Sequence, residues 1–281
     1  MLSQSPYFFR LVPVLDYIQD HYNRAILPQE LEKISFYSYR NLQRIFKAIW
    51  GETIGAYQKR LRLENAAKLM HYSSKSLTDI AIEVGYADLQ AFRKAFKNQY
   101  GIAPSQQRPK LMATLTQLKQ TIEFPSAAIQ QLNTLKVTLP AIHVVFRSYQ
   151  GAYNNAQLEK EWEMLWEQNK NLNTTDEYGL VFDDIDITSP NICRYDACLA
   201  YNSQQDSANS PTKTIGGKNY LRFLHLGSYD TIEQTYAVIF GGWLLQNDYN
   251  FSTGPIIEHY YYNQHHTDQE EAFKTHIYIP F

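Results

Sequence analysis

The sequence predicts two domains: an all-α domain of two tandem helix-turn-helix units, then an α+β domain with pseudo-twofold symmetry. Three observations lead there. The run Leu42-Gln43-Arg44-Ile45-Phe46-Lys47-x-x-x-Gly51 returns fifty residues later as Phe92-Arg93-Lys94-Ala95-Phe96-Lys97-x-x-x-Gly101-x-x-Pro104. Leu27 with Leu77, Ile34 with Val84, Phe36 with Tyr86 and Ser38 with Asp88 keep that offset, so one supersecondary unit is written twice. From about Lys136 the texture changes to strands and helices rich in Tyr and Phe, and this half repeats itself as well. Charge divides at the same place. Residues 1–110 hold 16 Lys and Arg against 9 Asp and Glu, a net of +7, and the remainder hold 10 against 19, a net of −9.

In the first half, Leu11, Val14, Leu15 and Ile18 share one helix face within 6–22. Pro13 is awkward within it, and tolerable if the helix starts nearby, where the first turn has spare N–H groups. Pro28 opens a second helix with Leu31 and Ile34. Ser38 caps a third with core face Leu42, Ile45, Phe46 and Ile49, and Gly51 ends it. Residues 55–72 form a connecting helix, which at about 1.5 Å per residue spans ~27 Å. With its turns it sets two recognition helices roughly one duplex turn (~34 Å) apart. The second unit follows: Leu77 to Val84, a turn at Gly85, and Asp88 capping a helix that ends near Tyr100.

Residues 111–135 read as a linker with some helix, being Gln-, Thr- and Ala-rich around Pro125. In the second domain, 136–281, Val144–Tyr149 leads through Gly151-Ala152-Tyr153 into a helix with Leu158, Trp162, Leu165 and Trp166. Leu221–Leu226 leads through Gly227-Ser228-Tyr229 into a helix with Ile232, Tyr236, Ile239 and Trp243. Two strands follow each helix, near 180–187 and 192–201, then near 256–262 and 274–280. Residues 202–219 read as the loop joining the halves. Two such units imply a cleft between them, a natural pocket.

A basic half is drawn to a polyanion and an acidic half repelled by it. No apolar run is long enough to span a membrane and no cleavable signal pattern is present, so a cytoplasmic protein is expected. Cys193 and Cys198 read as reduced structural thiols. His265-His266 reads as a solvated turn, since adjacent residues do not converge on one ion. No cofactor motif, metal set or catalytic order stands out.

The segment Ile80-Ala81-x-Glu83-Val84-Gly85-Tyr86-x-Asp88-x-x-x-Phe92-x-Lys94-x-Phe96-Lys97-x-x-x-Gly101-x-x-Pro104-Ser105 resembles the signature of the AraC/XylS family of bacterial transcription regulators. Ser38-x-x-x-Leu42-x-Arg44-x-Phe46-Lys47-x-x-x-Gly51 is similar to that family's first helix-turn-helix. Gln107 departs from it, standing where an aromatic usually precedes Arg108. The second half resembles the GyrI-like effector-binding domain through Gly151-Ala152-Tyr153, Gly227-Ser228-Tyr229, Ile257-Glu258-His259-Tyr260 and Ile277-Tyr278-Ile279-Pro280. The order of domains is similar to that of Rob-like regulators. The resemblance implies double-stranded DNA, a small hydrophobic or cationic effector and RNA polymerase as partners.

On the recognition helices the core faces leave other residues outward. Arg40 and Arg44 could bond guanine bidentately, and Asn41 or Gln43 could read adenine. Gln90 and Arg93 are the matching base readers of the second helix, beside Lys94. Lys47 and Lys97 suit phosphate contacts, which position without specifying sequence. In the second domain alternation gives Ile256, Glu258, Tyr260 and Tyr262 one strand face. A carboxylate among aromatics can hold a cation by charge and cation–π contact, and the resemblance implies that Glu258 lines the pocket. Tyr149, Tyr153, Trp166, Tyr229 and Trp243 are candidate walls, though aromatics at this spacing are usually core. Two other readings remain at this point: a hydrolase using Glu258 as acid/base on a hydrophobic small molecule, which needs a second polar group within reach, and a protein-binding module without a pocket.

Overall fold

The computed structural model describes residues 6–107 and 126–281, apart from 154, 175, 186, 203–209, 248 and 250. Two compact units divide the chain, Met1–Leu111 and Met112–Phe281.

Among its described residues the first unit holds α1 (Pro6–Asp20), α2 (Pro28–Ser35), α3 (Tyr39–Trp50), α4 (Ile54–Tyr72), α5 (Leu77–Glu83) and α6 (Leu89–Tyr100), and residues 104–107 are helical as well. Side-chain caps start four of them. Ser38, Thr53, Ser76 and Asp88 each accept a first-turn N–H, satisfying donors that have no partner within the helix. At α2 the cap is Glu30, which accepts the Leu27 N–H at 2.6 Å. The repeat is geometric as well as sequential: α3 and α6 are both 12 residues long, and both end on a left-handed glycine, Gly51 (φ 74°) and Gly101 (φ 72°). The turns inside the two units differ. The left-handed residue is Gly85 in the second but Phe36 (φ 58°) in the first. Gly85 is required, because a Cβ there would lie 2.5 Å from the Asn23 carbonyl carbon.

Pro13 lies within the first helix as read, but not in its first turn. The helix begins at Pro6, and Pro13 lies inside it with its ring exposed, so the missing N–H falls on the solvent side of α1. Leu11, Val14, Leu15 and Ile18 turn inward on Leu31, Leu42, Phe46 and Tyr57.

The second unit has a short helix α7 (Ser126–Gln131) followed by an eight-stranded antiparallel sheet. Its strands are β1 (Leu135–Leu139), β2 (Ile142–Gln150), β3 (Glu177–Val181), β4 (Arg194–Ala200), β5 (Thr212–Ile215), β6 (Lys218–Leu226), β7 (Ile256–Tyr262) and β8 (Lys274–Pro280). Their order is β1-β6-β8-β7-β3-β4-β2-β5, so each half reads alike outward from the β3–β7 seam. Helix α8 (Ala156–Gln168) follows β2, and α9 (Ile232–Val238) follows β6, running on through a π-helical stretch at Ile239–Trp243. Both helices cover one sheet face. Leu158 and Leu165 pack on Val145, Tyr195, Ala197 and Leu199, while Trp243 meets Phe223 edge-on at 5.0 Å. A buried ion pair fastens α8 to β2, Arg147 Nε lying 2.8 Å from Glu161 Oε2.

Three sequence expectations need correction. The strand placed near 180–187 is Glu177–Val181. It stops there because Asp183 turns in to accept the backbone N–H of Arg194 (2.8 Å) and its guanidinium (2.7 Å). The joining loop at 202–219 contains β5 and the start of β6, a four-residue edge strand being too short to show a period. The linker ends in α7 and the first residue of β1, and its stretch 111–125 lies outside the described residues.

Candidate functional site

On α3, Arg40, Asn41, Arg44 and Lys47 are exposed, while Leu42 and Phe46 are buried. Gln43 is half-buried, and its amide donates to the Tyr39 hydroxyl at 2.7 Å. On α6, Gln90, Arg93, Lys94 and Lys97 are exposed against buried Phe92, Ala95 and Phe96. Two equivalent helices therefore present polar and basic faces, each packed from behind by Phe at the same position. Behind them Arg62 of α4 ties the two halves together. Its guanidinium donates to the carbonyls of Tyr22 (2.6 Å), Arg24 (2.9 Å) and Gly85 (2.9 Å), and burial pushes its pKa down. A second brace is Arg60, held by Glu52 at 2.6 Å and Glu64 at 3.0 Å.

Glu258 lies on β7 at the seam of the sheet, opposite Gly179 of β3. It is 5% exposed, on a strand inside the sheet. Both carboxylate oxygens are engaged. The Tyr236 hydroxyl of α9 donates to Oε1 at 2.7 Å, and the Tyr260 hydroxyl donates to Oε2. Tyr195 of β4 shares a hydrogen bond with Tyr260 at 2.9 Å. Trp162 of α8 meets the rings of Tyr260 (5.9 Å) and Tyr195 (6.4 Å) edge-on, and Tyr229 meets Tyr260 at 5.0 Å. The result is a carboxyl floor walled by rings from both halves. Burial raises the Glu258 pKa, against the lowering effect of the two phenol donors. The phenols of Tyr195, Tyr236 and Tyr260 are pushed well up, by burial first and then by the Glu258 charge.

Of the aromatics singled out from the sequence, Tyr229 and Tyr260 belong to this cluster. Tyr153 stands behind it, 6.1 Å from Tyr195, with its hydroxyl donating to the carbonyls of Arg194 and Asp183. Tyr149 is elsewhere, donating to Ala152 and accepting from Asn155 at the start of α8. Trp166 donates its indole N–H at 2.5 Å to a second buried acid, Glu177. Trp243 is core between Phe223 and Tyr249. Tyr262 leaves the Glu258 face, because a bulge after His259 brings it opposite Lys274. The turn with His265 is not simply solvated, since His265 Nε2 lies 3.3 Å from Glu177. Among the described residues no group of three metal-ligating side chains occurs.

Sequence reasoning missed Tyr195, and left Trp162 and Tyr236 as plain helix core. Gly179 was the available signal. A glycine inside a strand marks a close approach, and here a Cβ would lie 2.8 Å from the Tyr260 hydroxyl and nearer still to that of Tyr195.

The pattern of the GyrI-like small molecule binding domain matches residues 134–281, and that of a helix-turn-helix domain matches 31–110. The regulatory protein SoxS of Escherichia coli is 31% identical over 98 residues, covering 35% of this chain and 92% of SoxS. The putative regulator YkgA of the same organism is 30% identical over 121 residues, 43% of this chain, and the chain spans 48% of YkgA's length. Among solved structures, the EcmrR C-terminal domain is 16% identical with a TM-score of 0.43, over 52% of this chain and 95% of that one. The chain belongs to the AraC-type helix-turn-helix regulators and carries a GyrI-like small molecule binding domain. No helix among the described residues is long and apolar enough to cross a membrane.

Proposed function

We propose that the second unit binds a hydrophobic cation at Glu258, and that this binding adjusts transcription through DNA held by α3 and α6. The observation that carries the reading is the Glu258 site itself: an acid at the seam of the sheet, within a wall of phenols and one indole. A desolvated cation over such rings gains about 2 kcal/mol per good contact, and the carboxylate supplies the opposite charge. The ligand's competitor is Tyr236. Its hydroxyl occupies Oε1, and it sits one turn before the π-helical stretch containing Gly241 and Gly242, where the helix can adjust. On the DNA side, Arg40, Arg44, Asn41, Gln90 and Arg93 are the base readers, and Lys47, Lys94 and Lys97 the phosphate contacts. RNA polymerase is the partner through which a bound regulator of this type acts.

Calorimetry on the full chain tests the pocket, using benzyltrimethylammonium and its neutral isostere neopentylbenzene. Glu258→Gln keeps the size of the side chain and removes its charge. Affinity for the cation should fall roughly tenfold or more, with the neutral compound unaffected. Unchanged cation binding in the variant would place the site elsewhere.

A further inference from the structure

The sheet face turned away from α8 and α9 carries a different chemistry. Strand pairing sets Arg222 of β6 beside Tyr278 of β8, and His276 of β8 beside His259 of β7, which pairs in turn with Tyr178 of β3. Residues opposite each other share a face. The rings stack in two flat pairs, Tyr178 on His259 at 4.3 Å and Tyr261 on His276 at 4.1 Å, each pair inclined by 16°. His276 also meets Tyr278 edge-on at 6.0 Å.

Arg222 stands out from the other enclosed arginines, of which Arg62 is taken by three backbone carbonyls. Arg60, Arg147 and Arg194 each hold a carboxylate within 3.0 Å. Arg222 makes no ion pair among the described residues, and its buried Nε has no hydrogen-bond partner among them. This is notable in the half of the chain with net charge −9. The side-chain polar groups of Tyr261, His276 and Tyr278 likewise make no hydrogen bond among the described residues. Asp176 is taken by His259 Nε2 at 3.1 Å. The uncompensated charge is felt around it. Burial, then Arg222 and His259, push the His276 pKa down to about 4, while Arg222 pulls the Tyr261 and Tyr278 phenols down against the larger effect of burial.

We propose that this face is a second ligand site, which takes an aromatic carboxylate: the Arg222 guanidinium pairs with the carboxylate, the Tyr261 and Tyr278 hydroxyls donate to it, and the stacked rings receive the flat body. Guanidinium–carboxylate pairing in a partly dry site is among the stronger polar contacts. The charge preference is opposite to that of Glu258, on the other face of the same sheet.

Sodium benzoate is the probe, benzamide its uncharged control, and the His276 ring signal of the full chain the reporter, assigned by its disappearance in His276→Gln. Benzoate should shift that signal saturably and raise the His276 pKa, since the carboxylate offsets Arg222; benzamide should do neither. Arg222→Gln should weaken benzoate binding about tenfold or more and raise the His276 pKa without any ligand. Tyr261→Phe keeps the ring stack and should weaken binding by a smaller factor, which covers the case of a poorly folded Arg222 variant. Glu258→Gln should bind benzoate as the unmodified chain does, which separates this site from the cation pocket. Benzoate leaving His276 unmoved, binding Arg222→Gln undiminished, or being matched by benzamide would each overturn the proposal.

Discussion

Gly179→Ala probes the Glu258 cluster without touching any of its functional groups. The added methyl would lie 2.8 Å from the Tyr260 hydroxyl and closer still to that of Tyr195. Neither ring can withdraw into solvent, because Tyr195 is 4% and Tyr260 9% exposed, and Trp162 packs against both. The phenols must therefore separate from each other and from Glu258. One neutral hydrogen bond is worth about 1 kcal/mol and one to a carboxylate about 1.5–3. Overpacking a filled site adds roughly 1–3 kcal/mol. The terms overlap, so a loss of about 3–5 kcal/mol is expected for the second unit. With a urea slope of about 2 kcal/mol per molar, its midpoint should fall by roughly 2 M. Tryptophan fluorescence reports this unit selectively, since Trp162, Trp166 and Trp243 lie in it and only Trp50 lies outside. Benzyltrimethylammonium should bind more weakly too, its wall displaced. A midpoint within about 0.3 M of the unmodified chain, with cation affinity unchanged, would refute the placement of both phenols over Gly179.

Three further outcomes are expected. Arg44→Ala should weaken specific binding by ~1–3 kcal/mol more than binding to scrambled DNA, whereas Lys97→Ala should weaken both alike and lower the salt dependence, as read by titrations at two salt concentrations. Arg62→Ala removes three bonds to backbone carbonyls that join the two helix-turn-helix units; footprinting should show protection of one groove weakening while the other persists, and uniform protection would exclude the bracing role. Glu258 has a raised pKa in the fold, so it holds its proton more tightly there than in the unfolded chain. Its contribution is intact below the ordinary carboxylate value of 4.5 and declines as pH rises through the folded value, so Glu258→Gln should flatten the fall in melting temperature with pH, leaving the share due to Glu177, which is raised by burial as well.

The parts of the fold legible in the sequence are those with local causes. Ser38 and Asp88 announce helix starts, Gly51 and Gly101 announce ends, and a periodic Phe face fixes which side of α3 and α6 is buried. The parts that were not legible depend on contacts remote in sequence. Glu177–Val181 ends where Asp183 finds Arg194, eleven residues on. Trp166 and Tyr260 look equivalent as strand or helix aromatics, yet one serves Glu177 and the other Glu258, a choice made by where α8 crosses the sheet. Tyr262 breaks its alternation through a bulge that no residue type in the strand announces.

The order of the strands explains why the adjustable part of the proposed ligand site is a helix and not the seam. β1 precedes β2 in the chain but pairs with β6 of the other half, and β5 precedes β6 but pairs with β2. Each half is thus completed by an edge strand from its counterpart. The connections are short: Pro140 and Ala141 join β1 to β2, and Gly216 and Gly217 join β5 to β6. Three peptide steps reach about 11 Å at most, so the sheet must curl until its two ends lie close together. There the Gly217 N–H donates to the Leu139 carbonyl at 2.9 Å, and a Cβ on Gly216 would run into the Pro140 backbone. Opening the β3–β7 seam would have to pull on both crossings at once. Glu258 and Gly179 therefore sit at a fixed joint, and the freedom left to the site belongs to what lies above it. Trp162 is set on α8, which is pinned by the buried Arg147–Glu161 pair. Tyr236 is set on α9, which loses its regular hydrogen bonding only one turn later at Ile239–Trp243. The two walls of the site are thus unequal in stiffness, and a cation entering as proposed would meet least resistance on the side of Tyr236.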